Sequence, residues 1–583
     1  MKKIVSITVL LACLCMFNNC SDDAYNDKYT DPNKITELLM DKVMTGVFVK
    51  INDWAVMGYG RFYSYDNLYL ANFTQSFGRP FSNSMYHNGW SDDGSGKYSS
   101  LLSATGLFKK LEMMYNELDD VAKPAYEAYY LTAKTHLYAY LLAMIDLYGD
   151  MPYTEGGMVA ATGDIGYSDA HFDHAEDLYE MIITEMKAAG LRFPTVTKSK
   201  DFTVTSDFVN GADLLKWQKY ANSICLRAAM RVAGQGLLSD LGRATVKEIL
   251  EHPETYPVVD NFDDNILIDN VNGRPGYNTG QQGFSEGDGT NNRVSDDIVS
   301  RMLSDYDRST WSGTFQDGKD DPRIALMHDL AVKAPYLQTG YPSYVDADGR
   351  TVTQSGVGEA TVFRGATYEM PETAMESFTL SAKGISLVRY DGLFWNNLEW
   401  DHQIITSSEI WFIKAEAFQR GWANGDAKAA FKTGVKQSIE FYFHYHNIKT
   451  PADPDKGIDG RSRRGWLVNP AEPDAEWIDT FAEARWEAPI NSLHPYVDKI
   501  DAIITQKYLH YGIFFVQEAW NDLRRTGYPS GIYFPRVSDA TMPELPVRLR
   551  YPAGERDYNK NFAEVTRPGF NDDDFYVKLF WAK

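Results

Sequence analysis

From about Ile35 onward, apolar positions recur with a helical period. Leu107, Phe108, Leu111, Met114, Tyr115 and Leu118 share one face of a helix expected over 104–121. Pro124 opens a second, over 125–148, which Gly149-Asp150 and Pro152 close. Segments 177–191 and 212–233 read as two more, so helical hairpins are expected here, although no self-similarity at a fixed period is visible. Between 257 and 401 the pattern fails. Gly, Asn, Asp, Pro and Ser crowd the stretch from Asn270 to Asn292, strand-like pieces stand at Ala360–Phe363 and Ile385–Val388, and one short helix is expected at Asp296–Tyr306. Long structured loops of this kind usually carry function. The helical period returns at Ser407–Arg420 and Ala427–His446. A polar stretch, Lys449 to Asp474, separates these from one further helix near Ile503–Trp520 and a loop-rich tail.

The pattern is different at the start. Lys2 and Lys3 precede an apolar run, Ile4 to Phe17, too short for the roughly 20 residues of a spanning helix. It reads as a secretory signal. Cys20, followed by Ser21-Asp22-Asp23, looks like the acylation site of a bacterial lipoprotein. Cys13 after Leu10-Leu11-Ala12 is the alternative acceptor, and a plainly cleaved signal the alternative reading. The expected organisation is a signal peptide over 1–19, a lipidated tether over 20–34, a helical scaffold over 35–256, a loop-rich ligand-binding insertion over 257–401, and a C-terminal helical block and tail over 402–583. The fold class is mostly α, with 35–583 as one domain.

Composition narrows the function classes. The 583 residues are 44% hydrophobic and 23% charged, as a globular chain requires, and the net charge of −23 argues against nucleic acid as a partner. Apart from Cys13, Cys15 and Cys20, only Cys225 remains, so no intrachain disulfide framework is expected in a lipidated mature chain. Aromatic residues are plentiful at 14%. Helical cores use many, but exposed Trp and Tyr also stack on the apolar faces of sugar rings.

No phosphate loop, zinc helix or nucleophile elbow is present, no catalytic residues are assigned, and no cofactor or metal is expected. Asp346 and Asp348, and Asp453, Asp455 and Asp459, have partial calcium-loop spacing but read more simply as solvated acidic turns. Glu409 and Glu416 lie on nearly one helix face, placed to pair with arginines of a neighbouring helix. Small residues at Ala415 and Ala417 allow close crossing. Gln506–Pro529, with Arg524-Arg525, reads as part of an internal ion-pair network.

These segments resemble the SusD/RagB family of Bacteroidetes outer-membrane nutrient-binding lipoproteins. The resemblance rests on Ser408 to Ala417, Gln506 to Pro529, Arg548 to Asn559, Leu147 to Tyr153, Ala221 to Arg231 and Asp321-Pro322-Arg323, in order along the chain. It implies a tetratricopeptide-like helical-repeat scaffold. It also implies a non-enzymatic protein, lipid-anchored at the outer membrane, that binds oligosaccharide and delivers it to a TonB-dependent β-barrel transporter. Peptide capture by the same type of lid, or an exported glycoside hydrolase, are the rival functions.

Because the family's ligand residues vary, the candidates here come from a separate criterion: aromatics on loops with polar neighbours. They are Trp90, Tyr277, Trp311, Tyr341, Tyr344 and Trp395, with Asn72, Arg274, Asn278 and Asn396 as hydrogen-bond partners.

Overall fold

A computed structural model describes residues 39–56, 61, 66, 70–78, 95–268, 294–328, 330, 343–345, 351–353, 362–365, 386, 401–447, 470–532, 545–566 and 576–583. Its elements are mainly helices. The N-terminal set is α1 (Met40–Ala55), the single turn α2 (Ala71–Phe73), α3 (Ser95–Asn116), α4 (Lys123–Tyr148), α5 (Met158–Thr162), α6 (Ala175–Arg192), α7 (Leu214–Val232) and α8 (Ser239–Glu251). Two short helices follow, α9 (Asp296–Met302) and α10 (Arg323–Met327). The C-terminal set is α11 (Ser407–Gln419), α12 (Ala427–Asn447), α13 (Ala475–Glu487), α14 (Lys499–Tyr511), α15 (Val516–Thr526) and α16 (Ala553–Tyr558).

Chain neighbours pack on one another, as stacked hairpins must: α1 against α3 and α4, α6 against α7, α7 against α8, α11 against α12, and α12 against α13. The two sets meet where α7 touches α11, and α11 also packs on α14. One connected buried cluster takes in residues from Met40 to Ala582, including Trp217, Trp520 and Trp581. Among the described residues three antiparallel two-stranded pieces decorate the helices: β1 (Ile266–Ile268) with β6 (His402–Ile405), β2 (Ser312–Gly313) with β5 (Phe363–Arg364), and β3 (Ser343–Val345) with β4 (Thr351–Thr353). Among the described residues no helix is long and apolar enough to cross a membrane.

The expected helices are present, with shifted ends. The first begins at Ser95 rather than 104, and the helix at Asp296 stops at Met302. The single helix expected over 503–520 is two. α14 ends at Gly512, which has φ 49° and donates its N–H to Tyr508 O at 3.0 Å. The flanking His510-Tyr511 and Ile513-Phe514-Phe515 are apolar or aromatic on both sides, so periodicity gave no sign of the break. Among the described residues, α1, α8, α13 and the short α2, α5, α10 and α16 have no counterpart in the helices expected from the sequence.

Buried ion pairs tie the sets together. Arg227 of α7 holds Glu409 of α11 through two hydrogen bonds of 2.6 and 2.7 Å. Arg231 bridges Asp146 of α4 and Glu518 of α15. Arg525 of α15 holds Glu416 of α11 and Asp522, and Lys507 of α14 reaches Asp522 at 2.9 Å. Glu409 and Glu416 thus pair with arginines of neighbouring helices. Ala415 and Ala417 are both buried, and α11 packs closely on α12, where a Cβ at Gly434 would stand 2.9 Å from the Phe412 ring. Near the chain ends, Leu549 N donates to Leu147 O at 2.7 Å and Tyr551 Oη to Asp150 O at 2.7 Å.

Candidate functional site

Within the loop-rich segment, residues 303–322 form a braced loop that carries Trp311. The loop that carries it leaves α9, whose N-terminus is capped by Ser295 Oγ accepting from Asp297 N at 3.0 Å. Asn491 closes the other end of α9, donating from Nδ2 to Ser300 O and Leu303 O at 2.6 and 2.7 Å. Arg301 donates to Ser530 O at 2.7 Å. The loop root is therefore clamped to the C-terminal block.

The loop returns beside its own start. Asp321 N donates to Met302 O at 3.1 Å. Asp320 accepts from Ser304 N and Gln316 N at 2.8 Å each, bracing both arms. Burial pushes the Asp320 carboxyl up, and those donors oppose the rise. Beyond it, Arg323 is fully buried. It donates to both oxygens of Asp321, to Ser438 Oγ of α12 at 2.7 Å and to Gln506 Oε1 of α14 at 2.7 Å. The Asp321-Pro322-Arg323 motif is thus the loop's anchor.

The tip is a tight turn. Asp307 N donates to Ser312 O at 2.9 Å, and Ser312 N donates back to Asp307 O at 3.2 Å. The Asp307 carboxylate accepts from Ser309 N and Ser309 Oγ, both at 2.8 Å, and these donors hold its carboxyl below the usual range. Arg364 on β5 donates from Nε to Thr310 O at 3.4 Å. Asp305 supports the ascending arm, accepting from Thr314 N and Gln316 Nε2 at 3.2 Å each.

Within this frame Trp311 has φ 54°, the left-handed region, which costs a residue with a Cβ about 1–2 kcal/mol. Two other non-glycine residues among those described share the feature, Gln75 and Ala212, and both are buried. Trp311 alone of the three is half-exposed. A hydrogen-bonded hairpin that forces an indole into this conformation while leaving it accessible marks a candidate binding position.

The other expected ligand residues fall elsewhere. Asn72 is in α2 with none of its surface exposed, inside the packed core rather than on an open loop. The Tyr344 backbone lies on β3 opposite Val352. Trp90, Arg274, Tyr277, Asn278, Tyr341, Trp395 and Asn396 lie outside the described residues, as do Cys20 and the acidic pairs considered for calcium. Among the described residues no three His, Cys, Asp or Glu side chains gather to hold a metal ion. Among the accessible aromatics that the sequence criterion passes over, Trp477 lies against the Trp311 loop. Trp477 is half-exposed on the first turn of α13, and choosing aromatics on loops excluded it. The Pro473-Asp474 pair ahead of Ala475, a helix-start signal, would have placed it at a helix end facing the loop.

Two family profiles match the chain, together over well more than half of it. One, described as starch-binding associating with outer membrane, covers residues 69–323. The other, described as SusD and RagB outer membrane lipoprotein, covers residues 396–582. Among solved structures, a chitin-binding protein matches with TM-score 0.64 at 19% identity, over 92% of this chain and 98% of its own. A SusD homologue from Bacteroides fragilis matches with TM-score 0.63 at 19% identity, over 93% and 99%. A chitin-binding SusD homologue from Flavobacterium johnsoniae matches with TM-score 0.61 at 18% identity, over 92% and 98%. Identity at this level speaks to the fold. Among curated proteins none matches.

Proposed function

This chain belongs to the SusD/RagB family of outer-membrane lipoproteins, and on that premise we propose that it binds oligosaccharide at the cell surface and delivers it to a TonB-dependent β-barrel transporter. The observation that carries the reading is the half-exposed Trp311, fixed in a left-handed backbone at the tip of a braced loop. A rigid indole offers a sugar ring a flat apolar face, and little side-chain freedom is lost on contact. Hydroxyl groups of the sugar then need polar partners around that face. Trp90, Tyr277, Tyr341, Tyr344 and Trp395, with Arg274, Asn278 and Asn396, stand as the proposed remainder of the site. Asn72 belongs to the proposal only through a rearrangement that uncovers it.

Two further observations support a capturing role. The starch-binding description of the matching family and the chitin-binding names of two similar structures suggest the ligand class. The carboxylates of the main helix-bridging pairs, Glu409, Glu416, Glu518 and Asp522, are each engaged by arginine or lysine, which suits a brace better than acid–base chemistry. The chain is proposed to be held at the membrane by a lipid on Cys20.

The test is calorimetric titration of the lipid-free protein with glucose and N-acetylglucosamine oligomers, alongside a peptide mixture. Saturable binding of a saccharide supports the reading, whereas binding of peptides alone transfers the same lid to the rival ligand. Co-purification of the full-length chain with a large β-barrel protein tests the delivery step.

A further inference from the structure

A second aromatic position, Trp477 at the start of α13, lies beside the returning arm of the Trp311 loop. Trp477 packs one side of its indole on Phe481, with centroids 4.9 Å apart and planes 12° from parallel. The Arg485 guanidinium backs Phe481 at 5.4 Å. Trp477 Nε1 donates to Gly318 O at 2.8 Å, tying α13 to the loop and fixing the ring. What remains of the indole lines a cavity of about 290 Å³, together with Pro322 and Pro473. Four carboxylates, Asp317, Asp320, Glu472 and Asp474, stand around it. The donors they hold are neutral: Gly318 N on Asp317, Ser304 N and Gln316 N on Asp320, Asn447 Nδ2 on Glu472 and Trp477 N on Asp474.

We propose that this cavity is a second saccharide subsite, taking one uncharged sugar ring against Trp477 and selecting against uronate or sulfated rings. The inference rests on the saccharide reading above and adds a ring-binding position to it. Preformed walls are what such a subsite requires: the indole is held at its edge by a hydrogen bond and on one side by Phe481, so little ordering remains for a ligand to bring about. The two prolines extend the apolar surface. The carboxylates accept hydrogen bonds from sugar hydroxyls, and they repel an anionic ring at close range. The acidic set alone defines no site; the fixed indole in a cavity does, and the carboxylates decide what kind of ring enters.

The subsite is within reach of Trp311. Seven residues separate Trp311 from Gly318, so their Cα atoms are at most about 25 Å apart. One oligosaccharide chain spanning both positions gains affinity from the second contact by raised effective concentration.

The test uses the full soluble chain labelled with 5-fluorotryptophan. The Trp477 and Trp311 fluorine resonances are assigned by their loss in Trp477→Phe and Trp311→Phe. Glucose, N-acetylglucosamine and galacturonate hexamers are the titrants. The expected result is that a neutral hexamer shifts both resonances, that the galacturonate hexamer leaves Trp477 in place, and that Trp477→Ala weakens the neutral hexamer about fivefold. Trp477→Phe retains the Phe481 contact and supplies the affinity comparison should the alanine variant not fold. A Trp311 shift without a Trp477 shift overturns the subsite and leaves the primary reading standing. An equal response to galacturonate overturns the stated selectivity. Silence of both resonances to every hexamer overturns the subsite and the saccharide reading together.

Discussion

Arg525 clasps Glu416 through two hydrogen bonds of 2.7 Å, closed off from solvent and joining helices whose paired residues are 109 positions apart. Glu416 also accepts from Arg420 Nε at 2.8 Å, and Arg525 donates to Asp522 at 2.8 Å. Removing Arg525 leaves the buried Glu416 with Arg420 alone, which costs about 3 kcal/mol, the lower end for breaking a buried pair. Arg525→Met is therefore expected to lower unfolding free energy by that amount, measured by urea titration. The double variant Arg525→Met with Glu416→Met should recover at least half of the loss, because paired removal strands less charge.

Acid sensitivity should begin with histidines. Burial lowers His136, His328 and His402 to about 3, lowers His494 to about 2, and holds His510 well below its ordinary value of 6.5. Beside His510, the positive charges of Arg323 and Lys507 add to the effect. The native state keeps these rings neutral while the unfolded chain protonates them, so unfolding takes up protons below pH 6.5. The stability they support is complete above that value and falls as pH drops toward 3. At pH 5 the five rings should add about five protons to the uptake on unfolding, and the buried Asp146 carboxyl, raised to about 6 in the native state, should subtract about one. His328→Leu should reduce that uptake by about one. A flat profile between pH 7 and 5 would contradict the assignment of neutral buried rings.

A second decline, at lower pH, belongs to carboxylates. Burial raises Glu416, but the Arg525 guanidinium beside it prevails and leaves its carboxyl below 4.5. Lys507 and Arg525 likewise hold Asp522 low against burial. Stability from both is present above the unfolded-state values and is lost as pH falls through the native ones. Glu416→Gln should flatten the profile below pH 4.5 while leaving the histidine region unchanged.

Gly512 gives a local test of the break between α14 and α15. Its φ of 49° disfavours a side chain, and a Cβ there would stand 2.9 Å from Tyr442 Oη and 3.1 Å from Met327 Sδ. Tyr442 Oη donates to His510 O at 2.8 Å and is not free to withdraw. Gly512→Ala is expected to cost about 1–3 kcal/mol in urea unfolding.

These residues show what the sequence made legible. The pairing of Glu409 and Glu416 with arginines follows from acidic residues seven apart on a helix whose other faces are apolar, since a buried carboxylate requires a cation. Which arginine each takes does not follow: Glu409 takes Arg227, 182 positions away, and only the fold brings them together. The helix at Ser407 was readable from composition, with Thr406 accepting from Glu409 N at its start. The break at Gly512 was hidden because aromatic residues continue on both sides. At the candidate site, Trp311 was found because it stands in a polar, glycine-rich stretch, but its left-handed backbone depends on hydrogen bonds from Ser309 to Asp307 and from Arg364 to Thr310 that only three-dimensional proximity supplies. Trp477 was missed because an aromatic at a helix start looks like core until the neighbouring loop is seen beside it.

Membrane attachment is tested by Cys20→Ala. The variant should keep its unfolding midpoint and its ligand binding while moving from the membrane to the soluble fraction of cells lacking the proposed transporter. Retention on membranes in that background would assign the anchor elsewhere.

The central claim, that Trp311 is displayed for a saccharide, is tested most directly by Trp311→Gly. Glycine accepts the left-handed backbone without strain, so the account predicts unfolding free energy within about 1 kcal/mol of the parent together with at least tenfold weaker calorimetric binding of the glucose or N-acetylglucosamine oligomer that the parent binds. A variant that binds that oligomer as tightly as the parent, or that loses binding only because it unfolds, contradicts it.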